Sequence, residues 1–178
     1  MEENGIEVVD IKIFPHRYLK PETSEKVLNA IYDLGDDIIR VIVHGPSLPK
    51  YVYYGPARGM PVNHSDRKVI KIKGEEVELT VKVGEIIVTV PFEKAMEIEK
   101  KLHKICKENF PYGYDIYVGA FTKVRPTVTD YLKYGERFVN EVDKRLIGIT
   151  DPRSKFESAV KIIPKEEKED EEKSSKEE

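Results

Sequence analysis

The chain has 178 residues, enough for one domain with a sizeable core and a tail. Its single cysteine, Cys106, excludes an intrachain disulfide, and no apolar run approaches the roughly 18 residues that cross a bilayer. The formal charge is −3, yet residues 165–178 alone carry four lysines and eight acids; the rest is nearly neutral, without the basic excess of a nucleic-acid-binding domain.

That terminal stretch, KEEKEDEEKSSKEE, contains no apolar side chain. It cannot bury enough surface to offset its ordering entropy, so 164–178 is expected to be a disordered acidic tail behind a single domain over 1–163. The N-terminus lacks the basic and apolar regions of a secretory signal, which with the lone cysteine points to the cytoplasm. Charged residues reach 35% against about 25% in ordinary domains, a bias shared with thermophile proteins.

In chain order, Val9, Ile11 and Ile13 alternate with polar residues, the pattern of a strand with one buried face. Pro21 opens a helix that carries Val27, Leu28 and Ile31 on one side and stops near Gly35. Residues 38–43 are almost all β-branched and read as a strand buried on both faces. The two strands are then parallel, joined by a helical crossover.

Residues 44–67 carry neither strand nor helix periodicity. Four prolines and three glycines punctuate them, while Tyr51, Tyr53, Tyr54 and Met60 make them too apolar for a solvated linker. With Lys50, Arg58 and Arg67 against one acid, Asp66, the segment is a basic, tyrosine-rich and ordered loop. Three short strands follow, at 69–72, 77–83 and 86–90, with Gly74 and Gly84 at the connections. Pro91 starts a second helix with the stripe Ala95, Ile98, Leu102, Ile105 and Cys106, and a last strand runs over 114–121. A third helix is expected over 128–147, capped by Thr127 with Asp130, and a short one carrying Phe156, Val160 and Ile163. The order predicts an α+β fold: a ferredoxin-like split βαβ sandwich over about 6–121 with an extra strand, a long ordered loop, and a helical extension over about 127–163.

Catalytic patterns are missing. His16, His44, His64 and His103 show no ligand spacing, so no metal is expected. Ser47 and Ser65 lie outside any nucleophile elbow, and Cys106 falls on an apolar helix face, where a packed thiol is the simpler reading. Gly-Pro-Ala-Arg-Gly over 55–59 could cradle an anion on Arg58, or be only a rigid turn. Residues 112–121 interleave Tyr112, Tyr114, Tyr117 and Phe121 as an RNA-binding strand would, although the near-neutral body disfavours nucleic acid.

Six stretches read together carry a resemblance: IFPHRYLKPET over 13–23, VHGPSLP over 43–49, YGPARGMPVNH over 54–64, EVELTVKVG over 76–84, YGYDIYVG over 112–119 and TKVRPTVTDYL over 122–132. This series resembles the methyl-coenzyme M reductase operon protein D family of methanogenic archaea, from about residue 6 to 135. The resemblance implies an accessory protein with no catalytic residues and no cofactor of its own. Its implied partner is methyl-coenzyme M reductase, bound without its nickel tetrapyrrole and held open for insertion of that coenzyme. The contact residues expected are Tyr51, Tyr53, Tyr54, Arg58, Met60 and His64 of the loop, with Lys123, Arg125 and Tyr131 of the 122–132 segment. No membrane association is expected.

Overall fold

The structure, a computed structural model, describes residues 5–136, 141–148 and 161–164. Its organising strand is β1 (Gly5–Pro15), whose alternating apolar residues line up between two neighbours. β5 (Glu85–Pro91) lies on one side, with Ile11 opposite Val88, and β6 (Tyr114–Gly119) on the other, with Ile11 opposite Val118. β2 (Arg40–His44) joins the free edge of β5, giving the order β2-β5-β1-β6 with every pairing antiparallel. β1 and β2, each antiparallel to β5, therefore run parallel, connected through helix α1 (Pro21–Tyr32) as predicted.

One face of this sheet receives both long helices. Val9, Ile11 and Ile13 of β1 and Ile86, Val88 and Val90 of β5 pack with Val27, Leu28 and Ile31 of α1. α2 (Ala95–Asn109), entered through a single 3-10 turn at Phe92–Lys94, buries its predicted stripe of Ala95, Ile98, Leu102, Ile105 and Cys106 in the same core. Each full burial of such a side chain stabilises by about 1.5–3 kcal/mol, so this layer dominates the fold.

The opposite face is covered as well, which the alternation of β1 did not predict. Val8 and Asp10 are both fully buried, beside Ile42, Ile87 and Thr89. Their cover is the chain after β6, fastened by Arg40, which donates to the carbonyls of Lys123 (2.7 Å) and Ile147 (2.6 Å).

Three expectations are corrected. The run 77–83 is not one strand of a three-strand meander: β3 (Val69–Ile72) and β4 (Glu75–Glu78) form a separate two-stranded ribbon, and β5 belongs to the main sheet. The ribbon sits on α1, where Asn29 donates to the Lys71 carbonyl (2.8 Å) and accepts from the Lys73 N–H (2.8 Å). Beyond Glu78 the chain turns to pair with 44–48, because Leu79 and Val83 enter the core while Val77 stays outside it. The third helix, α3 (Val128–Tyr134), has the expected Thr127–Asp130 capping box but stops at Gly135, whose φ of 73° leaves the helical region. A 3-10 turn, Lys144–Leu146, follows. Finally, Ile163 lies in a strand and not in a short helix: β7 (Lys161–Pro164) pairs with residues 5–8 of β1, just past the point where β6 ends opposite Asp10. Phe156, Val160 and the acidic stretch 165–178 fall outside the described residues.

Candidate partner-binding surface

The loop 44–67 is built outward from a rigid root. Residues 44–48 continue β2 alongside 80–84: Gly84 N–H donates to the His44 carbonyl (2.9 Å), Lys82 to Pro46 (2.8 Å), and Leu48 to Thr80 (2.7 Å). The approach is so close that a Cβ on Gly45 would fall 1.5 Å from the Lys82 carbonyl oxygen, so only glycine fits. Leu48 is buried, and the Arg67 guanidinium closes the root by donating to the Leu48 carbonyl and to Glu78 Oε1 (3.1 Å).

Above the root the loop is a hairpin. Val62 N–H donates to the Lys50 carbonyl (2.8 Å), Val52 to Met60 (2.9 Å), and Gly59 to Val52 (2.6 Å). A turn with Arg58 N–H on the Gly55 carbonyl (3.1 Å) closes the tip. This backbone ladder holds Tyr51, Tyr53, Tyr54 and Met60 out in solvent, with Tyr53 at 75% and Tyr54 at 85% exposure. Arg58 is exposed and makes no ion pair or hydrogen bond through its side chain among the described residues. His64 sits lower: its Nδ1 accepts from the Asp66 N–H (3.1 Å), shaping the turn that leads back to the root.

The second predicted segment leaves the sheet at the other end. Register pairs His44 with Glu85 where the loop begins, whereas Gly119, opposite Asp10, leads into 122–132. Lys123 is half-buried with its carbonyl on Arg40, and Arg125 and Tyr131 are exposed. The predicted contact residues thus form two groups rooted at opposite strand ends. Val128 and Leu132, which keep the helical spacing expected over 128–147, are 76% and 82% exposed on α3. With Tyr131 they form an exposed apolar surface on α3.

Sequence reasoning missed the polar cluster that anchors this segment. Asp10 accepts from the Thr89 hydroxyl (2.7 Å), the Thr122 hydroxyl (2.8 Å) and the N–H groups of Phe121 and Thr122. Arg40 donates to the same two threonine hydroxyls, at 3.1 and 2.6 Å, so each hydroxyl relays between acid and base. Burial pushes the Arg40 guanidinium below its ordinary range, and the negative charges of Asp10 and Asp130 oppose that shift. A charged residue opening an otherwise β-branched strand was the available signal.

Burial pushes the Cys106 thiol up to about 12, so it stays protonated and inert. Ser47 and Ser65 have no histidine or acid hydrogen-bonded to their hydroxyls among the described residues, and no three His, Cys, Asp or Glu side chains there group as a metal site. The aromatics of 112–121 are divided: Tyr114 packs on Phe110 and His103 of the helix layer, Tyr112 lies under Arg17, Tyr117 is exposed on the strand's other side, and Phe121 lies under Lys12. No helix among the described residues is long and apolar enough to cross a membrane.

Comparison with known proteins places these features in context. The sequence model of the family described as methyl-coenzyme M reductase operon protein D matches residues 10–159. The chain is 66% identical over 158 residues to the methyl-coenzyme M reductase II operon protein D of Methanocaldococcus jannaschii, covering 89% of this chain and 93% of that protein. It is 53% identical over 166 residues to the operon protein D named for reductase I in the same organism, covering 92% and 99%. With the operon protein D of Methanococcus voltae the identity is 53% over 161 residues, covering 90% and 99%.

Proposed function

The chain belongs to the methyl-coenzyme M reductase operon protein D family, and from that premise we propose that it is a non-catalytic accessory factor of methyl-coenzyme M reductase. It binds the reductase lacking its nickel tetrapyrrole and favours an open state into which the coenzyme is inserted. The strand order, with α1 and α2 on one face, supports reading the framework as the ferredoxin-like split βαβ sandwich, used here as a scaffold for a binding loop.

The observation that carries the proposal is the hairpin 50–62. Its hydrogen-bonded ladder fixes three exposed tyrosines and an arginine unpaired among the described residues before any partner arrives. Rigid aromatics and arginine are the residue types that dominate binding hot spots, and a preformed loop loses little conformational freedom on docking. A factor that prefers the open reductase by about a hundredfold shifts its equilibrium by about 2.7 kcal/mol, enough to hold a deep site accessible. Insertion of the coenzyme restores the closed form and releases the factor.

The test is capture of cofactor-free reductase by Tyr51→Ala, Tyr53→Ala, Tyr54→Ala and Arg58→Ala. At least one is expected to weaken binding by about tenfold or more, as hot-spot truncations do. Undiminished capture by all four removes the loop from the interface.

A further inference from the structure

Away from the tyrosine hairpin, a cleft of about 720 Å³ opens between the β1–α1 connection, 14–18, and the paired stretches 44–46 and 84–85. Part of its wall is apolar: Phe14 is half-exposed at one side, and the Tyr18 ring lies across Gly84, where a Cβ would come within 2.9 Å of it. Among the described residues lining it, the one carboxylate is Glu85, already paired to Lys12 (3.0 Å) and His44 (3.2 Å). Arg17 is in the opposite condition. Its guanidinium lies 3.7 Å from the centroid of the Tyr112 ring and makes no hydrogen bond or ion pair among the described residues. Stacking fixes the plane of the fork while leaving its N–H groups unspent, the state in which arginine accepts a carboxylate with least rearrangement.

We propose that this cleft is a second docking surface, which takes an extended acidic segment of a protein partner. A side-chain carboxylate of the segment seats on Arg17, and an apolar neighbour lies against Phe14 and Tyr18. Charge selects the occupant: the acid in the wall is neutralised, and the group at the mouth left without an ion pair among the described residues is a cation. Shape selects a chain over a small molecule, because small-ligand sites bury about 70–90% of their ligand and this cleft is open to solvent. The inference does not depend on the hairpin or on the reductase, so either can fail alone.

The probe is a short fluorescein-labelled peptide alternating glutamate and leucine, titrated against the full chain by anisotropy, with glutamine and lysine counterparts as comparators. The glutamate peptide is expected to bind and its counterparts not. Arg17→Ala is expected to weaken binding by about tenfold or more, Arg17→Lys to retain part, and Tyr112→Leu to weaken it less than Arg17→Ala, since it frees the fork without removing it. Arg58→Ala on the hairpin should leave the peptide's affinity unchanged. Equal binding of the glutamine peptide, indifference to Arg17→Ala, or an equal loss in Arg58→Ala overturns the proposal. So does tighter binding of citrate alone, which makes the cleft a small-anion site, or self-association that Arg17→Ala abolishes, which makes the occupant a second copy of the chain.

Discussion

Arg40 shows how a single side chain decides what covers the sheet. Its donors reach two threonine hydroxyls and the carbonyls of Lys123, Arg145 and Ile147, so one guanidinium holds three separate stretches together. Lysine has one nitrogen to offer and cannot replace that fork. Arg40→Ala is expected to cost about 3 kcal/mol or more, because it removes a buried charge together with the hydrogen bonds that tie two threonine hydroxyls to the covering chain. Arg40→Lys should also destabilise, and urea midpoints of both variants measure it; a midpoint near that of the parent refutes the latch. Cys106 gives a second prediction at this scale. Its thiol is held protonated by burial, so disulfide reagents at pH 8 should react with it only as the protein unfolds. The folded state binds the proton more tightly than the unfolded chain, whose thiol ionises near 9. Stability should therefore be unaffected below that pH and fall as pH rises from about 9 toward 12, a decline that Cys106→Ala removes. Asp10 itself was misjudged from sequence: alternation reports that a residue points away from one layer, but not that a second layer waits on the other side.

Among the elements, those whose pattern and neighbours agree were legible. Pro21 starts α1, and every residue of the α2 stripe is buried. The failures share a cause: the periodicity was present, but the partner lay elsewhere in the chain. The alternation of 77–83 serves two different pairings, β3 up to Glu78 and the loop root after it. In 128–147 helical spacing continues past Gly135, yet the backbone turns there and returns to the sheet at Ile147. That the loop tyrosines stay out of the core was legible in the sequence, while the cleft beside Arg17 was not, since it is assembled from β1, β2 and β5. The loop root yields a prediction. Gly45→Ala drives a methyl group into the Lys82 carbonyl and must separate 44–48 from 80–84. Reductase capture is expected to fall although every tyrosine is intact, with lost amide-exchange protection at Lys82 and Gly84 as the sign that the root has opened. Retained protection and retained capture together exclude this role for Gly45.

For the molecule as a whole, the edge of β1 is shared between β6, along Asp10–Pro15, and β7, along Gly5–Val8. Removing residues 161–178 uncovers those backbone groups, and an uncovered strand edge recruits other chains. That truncation is expected to lower Tm and to raise the sedimentation coefficient with concentration. Removing only 165–178 should do neither, and equal behaviour of the two truncations assigns β7 no part in closing the sheet. The same pairing has a temporal consequence. Gly5 meets Pro164, so β1 is synthesised well before the stretch that completes its edge. Contacts this distant along the chain delay folding, and until that stretch emerges the growing polypeptide carries an unfinished edge on its central strand.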